Sequence, residues 1–168
     1  MNAQAHADRL SDLGSILIEI EAGDWPTRAE LEAIASRAIA ATFAEAGIVP
    51  VSAAELGITF TDDTHMAALN GEWRGKSQPT NVLSFPLAVV RPGDPLPPLL
   101  GDIVLGFETV EREAREQGKP FTDHLTHLIV HGLLHLFGHD HMMEVEAEAM
   151  EALERRVLER LAIPDPYA

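Results

Sequence analysis

Residues 124–141 read HLTHLIVHGLLHLFGHDH and hold six of the chain's eight histidines. Between the imidazoles lie Leu125, Leu128, Ile129, Val130, Leu133, Leu134, Leu136 and Phe137. On a helix turning about 100° per residue, His127 and His135 fall roughly 40° either side of His131, and His124 lies roughly 20° from it. The histidines therefore form one stripe on a helix that is apolar on nearly every other side, which is the pattern of a buried helix. A buried imidazole must be satisfied, so the stripe has to face a cleft, a metal or internal hydrogen-bond partners. Near the helix start, His124 is expected to be partly exposed.

Histidines four apart rise about 6 Å along the axis, and both rings can converge on one ion. His127/His131 and His131/His135 both offer that spacing. The continuation favours the second pair: Gly138 is placed to end the helix in a left-handed conformation, and His141 returns after the turn. His131, His135 and His141 then form an H-x3-H-x5-H layout. Three protein ligands leave a position open for water, as in catalytic sites. The chain has no cysteine, so a metal here must be held by histidine or carboxylate. Three imidazoles suit one zinc ion, with nickel, copper or cobalt also compatible. His127 is open between a contact behind the ligands, a substrate contact and core filling. His139 is expected near the cleft. His6 and His65 read as surface residues. The spacing matches zinc peptidases of the HExxHxxGxxH type, except that Gly132 stands where their general-base glutamate would be.

The flanking sequence predicts an α+β fold: a small mixed β-sheet of about four strands covered by helices, with the histidine helix buried at the centre. Strands are expected at 14–21, where Ile16, Ile18 and Ile20 alternate, and at 55–61, 80–87 and 101–107. Thr27 with Glu30 forms a capping box opening a helix to residue 46, closed by Gly47. Asp62 or Asp63 caps a short helix. A charged helix follows at 108–117, with Glu108/Arg112 and Glu111/Arg115 spaced as ion pairs. Thr122 or Asp123 is expected to cap the histidine helix, and an amphipathic helix occupies about 143–161. The length suits one domain over residues 1–168.

Net charge is −15, which argues against a broad basic nucleic-acid face. The acids gather at 108–117 and 144–160, which read as solvated helix faces. The stretch WRGKSQPTNVLSF (73–85), by contrast, holds no acid and carries Arg74 and Lys76, so an anion can sit there. No secretory signal is evident at the N-terminus, and no apolar run is long enough to span a membrane. With the lack of cysteine this fits the cytoplasm.

HGLLHLFGHDH (131–141) closely resembles the signature of the YbeY family, metal-dependent bacterial endoribonucleases that mature ribosomal RNA, whose pattern runs HGxLHLxGYDH. His139 stands where tyrosine is common. LNGEWRGKSQPTNVLSFP (69–86) resembles the family's LNxxyRxxdxPTDVLSFP, with Asn81 where aspartate is usual. LGDIVLG (100–106), Glu113-Ala114, and Met150 with Glu154 fit as well, so the resemblance covers roughly residues 55–160. It implies a metal held by His131, His135 and His141, and Arg74 in the same cleft as a catalytic residue. It also implies action on single-stranded RNA, at the small-subunit ribosomal RNA 3′ end and in ribosome quality control, with the ribosome as a partner. Arg74 suits a bidentate grip on phosphate. Ser84 is open between a hydrogen bond in the cleft and strand packing. Asp140 is open between orienting a histidine and capping the turn. The nucleophile is open between metal-activated water and the RNA 2′-hydroxyl. Two other functions compete: a zinc peptidase or hydrolase, and a non-catalytic ribosome-associated factor with a structural metal.

Overall fold

β1 (Ser15–Ile20) turns Ile16, Ile18 and Ile20 toward the core, while Leu17 points outward and is 65% exposed. That period-two alternation is what the sequence predicts for a half-buried strand. The computed structural model describes residues 15–48 and 54–168, so Gly14 of the expected first strand, and His6, lie outside the described residues. Beyond β1 come α1 (Arg28–Ala46), β2 (Glu55–Thr61), α2 (Asp63–Arg74), β3 (Val82–Pro86) and β4 (Leu99–Gly106). Three helices complete the order: α3 (Phe107–Glu116), α4 (Phe121–Leu136) and α5 (Glu144–Arg160).

The strands form a four-stranded mixed sheet in the order β1-β2-β4-β3, parallel except for β3, which runs antiparallel to β4. The two faces of the sheet have different jobs. Leu56, Ile58 and Phe60 of β2, with Ile103 and Leu105 of β4, belong to the main core shared with α1, α4 and α5. Val104 and Leu83 face the other way and pack with Met66, Leu69 and Phe85 beneath α2. Ser84, one residue on from Leu83, therefore looks toward α4, and its hydroxyl donates to the Gly132 carbonyl at 2.8 Å.

α1 begins with the expected capping box between Thr27 and Glu30 and ends at Gly47, in the left-handed region at φ 65°. Asp62 caps α2 by accepting from the His65 amide. α4 starts earlier than expected. Pro120 occupies the cap position, and its carbonyl accepts from the amides of Asp123 and His124, so Thr122 and Asp123 fall inside the first turn. Pro120, at φ −56° and ψ 140°, leads into the helix with no side-chain cap. Glu111 and Arg115 pair at 3.9 Å, but Glu108 instead accepts from the Asp63 backbone at 3.0 Å, joining α3 to α2. Arg112 turns to the Thr109 hydroxyl.

α4 is the centre of the structure. Leu125, Ile129, Val130, Leu133, Leu134 and Phe137 are sealed at 0% exposure between the sheet, α1, α3 and α5. Full burial of each such side chain is worth about 1.5–3 kcal/mol, so the helix is rigidly seated before any ligand is considered.

Candidate metal centre

His131 and His135 of α4 line a cleft of about 970 Å³. α4 ends at Leu136, and Gly138 follows at φ 96°. A Cβ at position 138 would overlap the Val90 carbonyl, so both the backbone conformation and the close approach of the loop require glycine. The turn brings His141 back over the helix end. Ring centroids of His131 and His135 stand 4.6 Å apart, His135 and His141 5.0 Å, and His131 and His141 5.8 Å. One nitrogen from each of the three lies within 4.8 Å of the others.

The hydrogen bonds behind the rings decide which nitrogens face inward. His131 Nδ1 lies 2.6 Å from a Glu154 oxygen, and His135 Nδ1 lies 3.0 Å from the His139 carbonyl. A carboxylate and a carbonyl only accept, so both Nδ1 atoms carry hydrogen. In neutral rings the two Nε2 atoms then point bare lone pairs at each other across 3.1 Å. Two acceptors at that separation repel unless a cation sits between them. Nitrogens at about 2.0–2.1 Å from a tetrahedral zinc are about 3.3 Å from one another. The donor set therefore fits a divalent metal in spacing and in tautomer. Burial, followed by the neighbouring His131 and His141, holds the His135 pKa down at about 4, which keeps this ring neutral at physiological pH.

Glu154 is a residue whose role the sequence reading missed. Its side chain is fully buried, yet it is a carboxylate. One oxygen faces His131; the other lies 2.9 Å from His127 Nε2 and accepts from the Tyr167 hydroxyl at 2.6 Å. Burial alone would raise its pKa, but these three contacts outweigh it and bring the value to about 2. A sequence signal for it existed: Met150, Leu153, Glu154, Val157 and Leu158 form the buried face of α5, and an acid on that face needs a partner. A carboxylate with a lowered folded pKa stabilises above its unfolded value and loses that contribution on protonation. The metal-free protein should thus lose on the order of 3 kcal/mol as pH falls from 4.5 toward 2. Urea unfolding across that range, beside Glu154→Gln, measures it; the variant should show a flatter profile.

Arg74 and Lys76 line the same cleft as His131, His135 and His141. Arg74 is the last residue of α2, and the left-handed Gly75 cap turns the chain toward β3. Ser84 also lines the cleft, with its hydroxyl engaged by the Gly132 carbonyl. His139 lines it too, and contributes its carbonyl to His135. Asp140 is exposed, lines the cleft and accepts from the His141 amide at 2.7 Å. His127 turns from the cleft to Glu154. The expectation that His124 is partly exposed is wrong: it is 4% exposed, because α3 covers the start of α4 and sets Glu113 3.7 Å from its ring. Asn81 donates to Glu113 at 3.1 Å, a role an ionised aspartate could not fill.

Gly132 answers the peptidase question. A Cβ there would lie 3.0 Å from Ile103 and 3.1 Å from Ser84, so the position faces the sheet and a side chain would enter only by pushing those two residues aside.

Residues 17–162 match the family model described as endoribonuclease YbeY. The chain belongs to the endoribonuclease YbeY family. The match begins at Leu17, well before the roughly 55 at which the sequence motifs become recognisable. Among its relatives, endoribonuclease YbeY of Allorhizobium ampelinum is 55% identical, over 91% of this chain and 94% of that protein. The Sinorhizobium fredii and Rhizobium meliloti members are 50% and 54% identical, each over 90% of this chain and over 91% and 94% of their own lengths. A solution structure of a Thermotoga maritima protein shares the fold, with TM-score 0.55 at 24% identity over 88% of this chain and 92% of that one. Among the described residues, no helix is long and apolar enough to cross a membrane.

Proposed function

We propose that the protein is a metal-dependent endoribonuclease of single-stranded RNA, acting in maturation of the small-subunit ribosomal RNA 3′ end and in ribosome quality control. Membership of the YbeY family makes it a hydrolase of RNA phosphodiester bonds. The observation that carries the metal-dependent reading is the convergence of three imidazole nitrogens on a cleft that also presents Arg74 and Lys76.

In this reading His131, His135 and His141 hold one zinc ion per chain. Zinc supplies Lewis acidity toward a phosphoryl oxygen and acidifies water. Arg74 grips phosphate through its planar fork, and Lys76 adds a second positive charge on the same wall. In a chain of net charge −15 these two residues give RNA a local landing place, so phosphate affinity is concentrated rather than spread over a basic face. Ser84 ties β3 to α4, joining two walls of the cleft. The whole chain works as a single domain, in the cytoplasm, with ribosomal RNA and the ribosome as partners. The peptidase alternative lacks support because position 132 faces the sheet.

Cleavage of a single-stranded RNA by purified protein tests this. Arg74→Glu should lower kcat/KM by about 10²–10³-fold while leaving zinc content at the wild-type level. Equal cleavage by wild type and Arg74→Glu would overturn the assignment of Arg74, and hydrolysis of an unstructured protein instead of RNA would restore the peptidase reading.

A further inference from the structure

Tyr167 is the chain's sole tyrosine, and it lies outside the residues matched by the family model, which end at 162. Its hydroxyl donates to Glu154 at 2.6 Å, and its ring stands edge-on to His127 with centroids 5.9 Å apart. The backbone around it is fastened to α5. The Tyr167 amide donates to Asp165 at 2.8 Å, Asp165 pairs with Arg155 at 3.1 Å, and the Arg155 guanidinium sits 5.3 Å over the Tyr167 ring. Here a surface strap delivers one polar atom to a fully buried carboxylate.

We propose that residues 164–168 clamp the metal centre, with the Tyr167 hydroxyl positioning Glu154 and, through it, His131. The inference rests on the reading of His131, His135 and His141 as metal ligands. Glu154 must present one oxygen to His131 Nδ1 in a fixed orientation, because that bond sets which nitrogen His131 turns to the metal. A carboxylate can rotate about its last bond. Tyr167 and His127 together hold the second oxygen, which removes that freedom. Tyr167 is thus a positioning residue that touches neither metal nor substrate, and segment 164–168 belongs to the metal centre although it is distant from it in sequence.

The test is zinc affinity of the full chain, measured by chelator competition, beside the unfolding temperature of the metal-free protein. Wild type should bind one zinc, and His131→Ala should not. Glu154→Gln should weaken binding by about 10–100-fold and Tyr167→Phe by about 3–10-fold, and metal-free Tyr167→Phe should remain folded with a modestly lowered unfolding temperature, because the buried carboxylate loses one hydrogen bond. The double variant should bind no more weakly than Glu154→Gln alone, because Tyr167 acts through that carboxylate. Asp165→Ala, at an exposed position, should loosen the strap and weaken zinc in the same direction while leaving the phenol intact. Wild-type affinity in both Tyr167→Phe and Asp165→Ala would overturn the clamp and leave the three-histidine site standing. Losses that multiply in the double variant would also overturn it, because the two residues would then act independently. Zinc binding by wild type that His131→Ala does not reduce would overturn the ligand assignment and the clamp with it.

Discussion

Replacing His131 with alanine should abolish both zinc retention and RNA cleavage, with at least a 10³-fold fall in kcat/KM, while the protein stays folded. The asymmetry follows from where the side chain sits. His131 is on the open, cleft-facing side of α4, with the helix held by the apolar residues on its other sides. Removing the ring takes away one of three metal ligands and leaves Glu154 with His127 and Tyr167 as its remaining partners. That keeps the buried carboxylate partly satisfied, so the cost to stability should be about 1–3 kcal/mol. Metal analysis, an RNA cleavage assay and thermal unfolding separate the three effects. A variant that keeps its zinc and its activity contradicts the ligand set, and one that unfolds outright assigns the imidazole a structural role.

Gly132→Glu should be the most damaging single substitution to stability near the site, above about 3 kcal/mol, and should create no peptidase. The change completes an HExxH motif in the sequence, yet the position points at β3 and β4. A Cβ alone would press on Ile103 and Ser84. A longer carboxylate would have to displace the Ser84 hydrogen bond and sit unpaired in the core. Expression as insoluble or unfolded protein, seen by circular dichroism, is the expected outcome. A folded variant that hydrolyses peptide bonds would show that the position opens to the cleft after all.

Much of this fold could be read from the sequence, because its signals are local. Ile16, Ile18 and Ile20 alternate, Thr27 and Glu30 face each other across one turn, and α4 is apolar on all sides but one. The three histidines were legible for the same reason: two lie one helical turn apart, and the third follows a glycine that only a tight turn explains. What stayed hidden depends on contacts between distant segments. Glu154 meets His131 across 23 positions of sequence, and Tyr167 reaches Glu154 from a tail that carries no periodicity at all. His124 was misjudged because its position near the start of a helix says nothing about α3 lying across it. The sequence marks Gly132 as the site of a missing base, but only the packing shows that the position faces Ile103 and Ser84.

The central claim is that a metal on His131, His135 and His141 drives RNA cleavage, and the most direct measurement is a zinc titration of chelator-stripped protein against a single-stranded RNA. Stripped wild type should be inactive, activity should rise linearly to one equivalent of zinc per chain and then level, and His131→Ala should stay inactive throughout. Undiminished cleavage by the stripped protein, or full activity of His131→Ala, would contradict it.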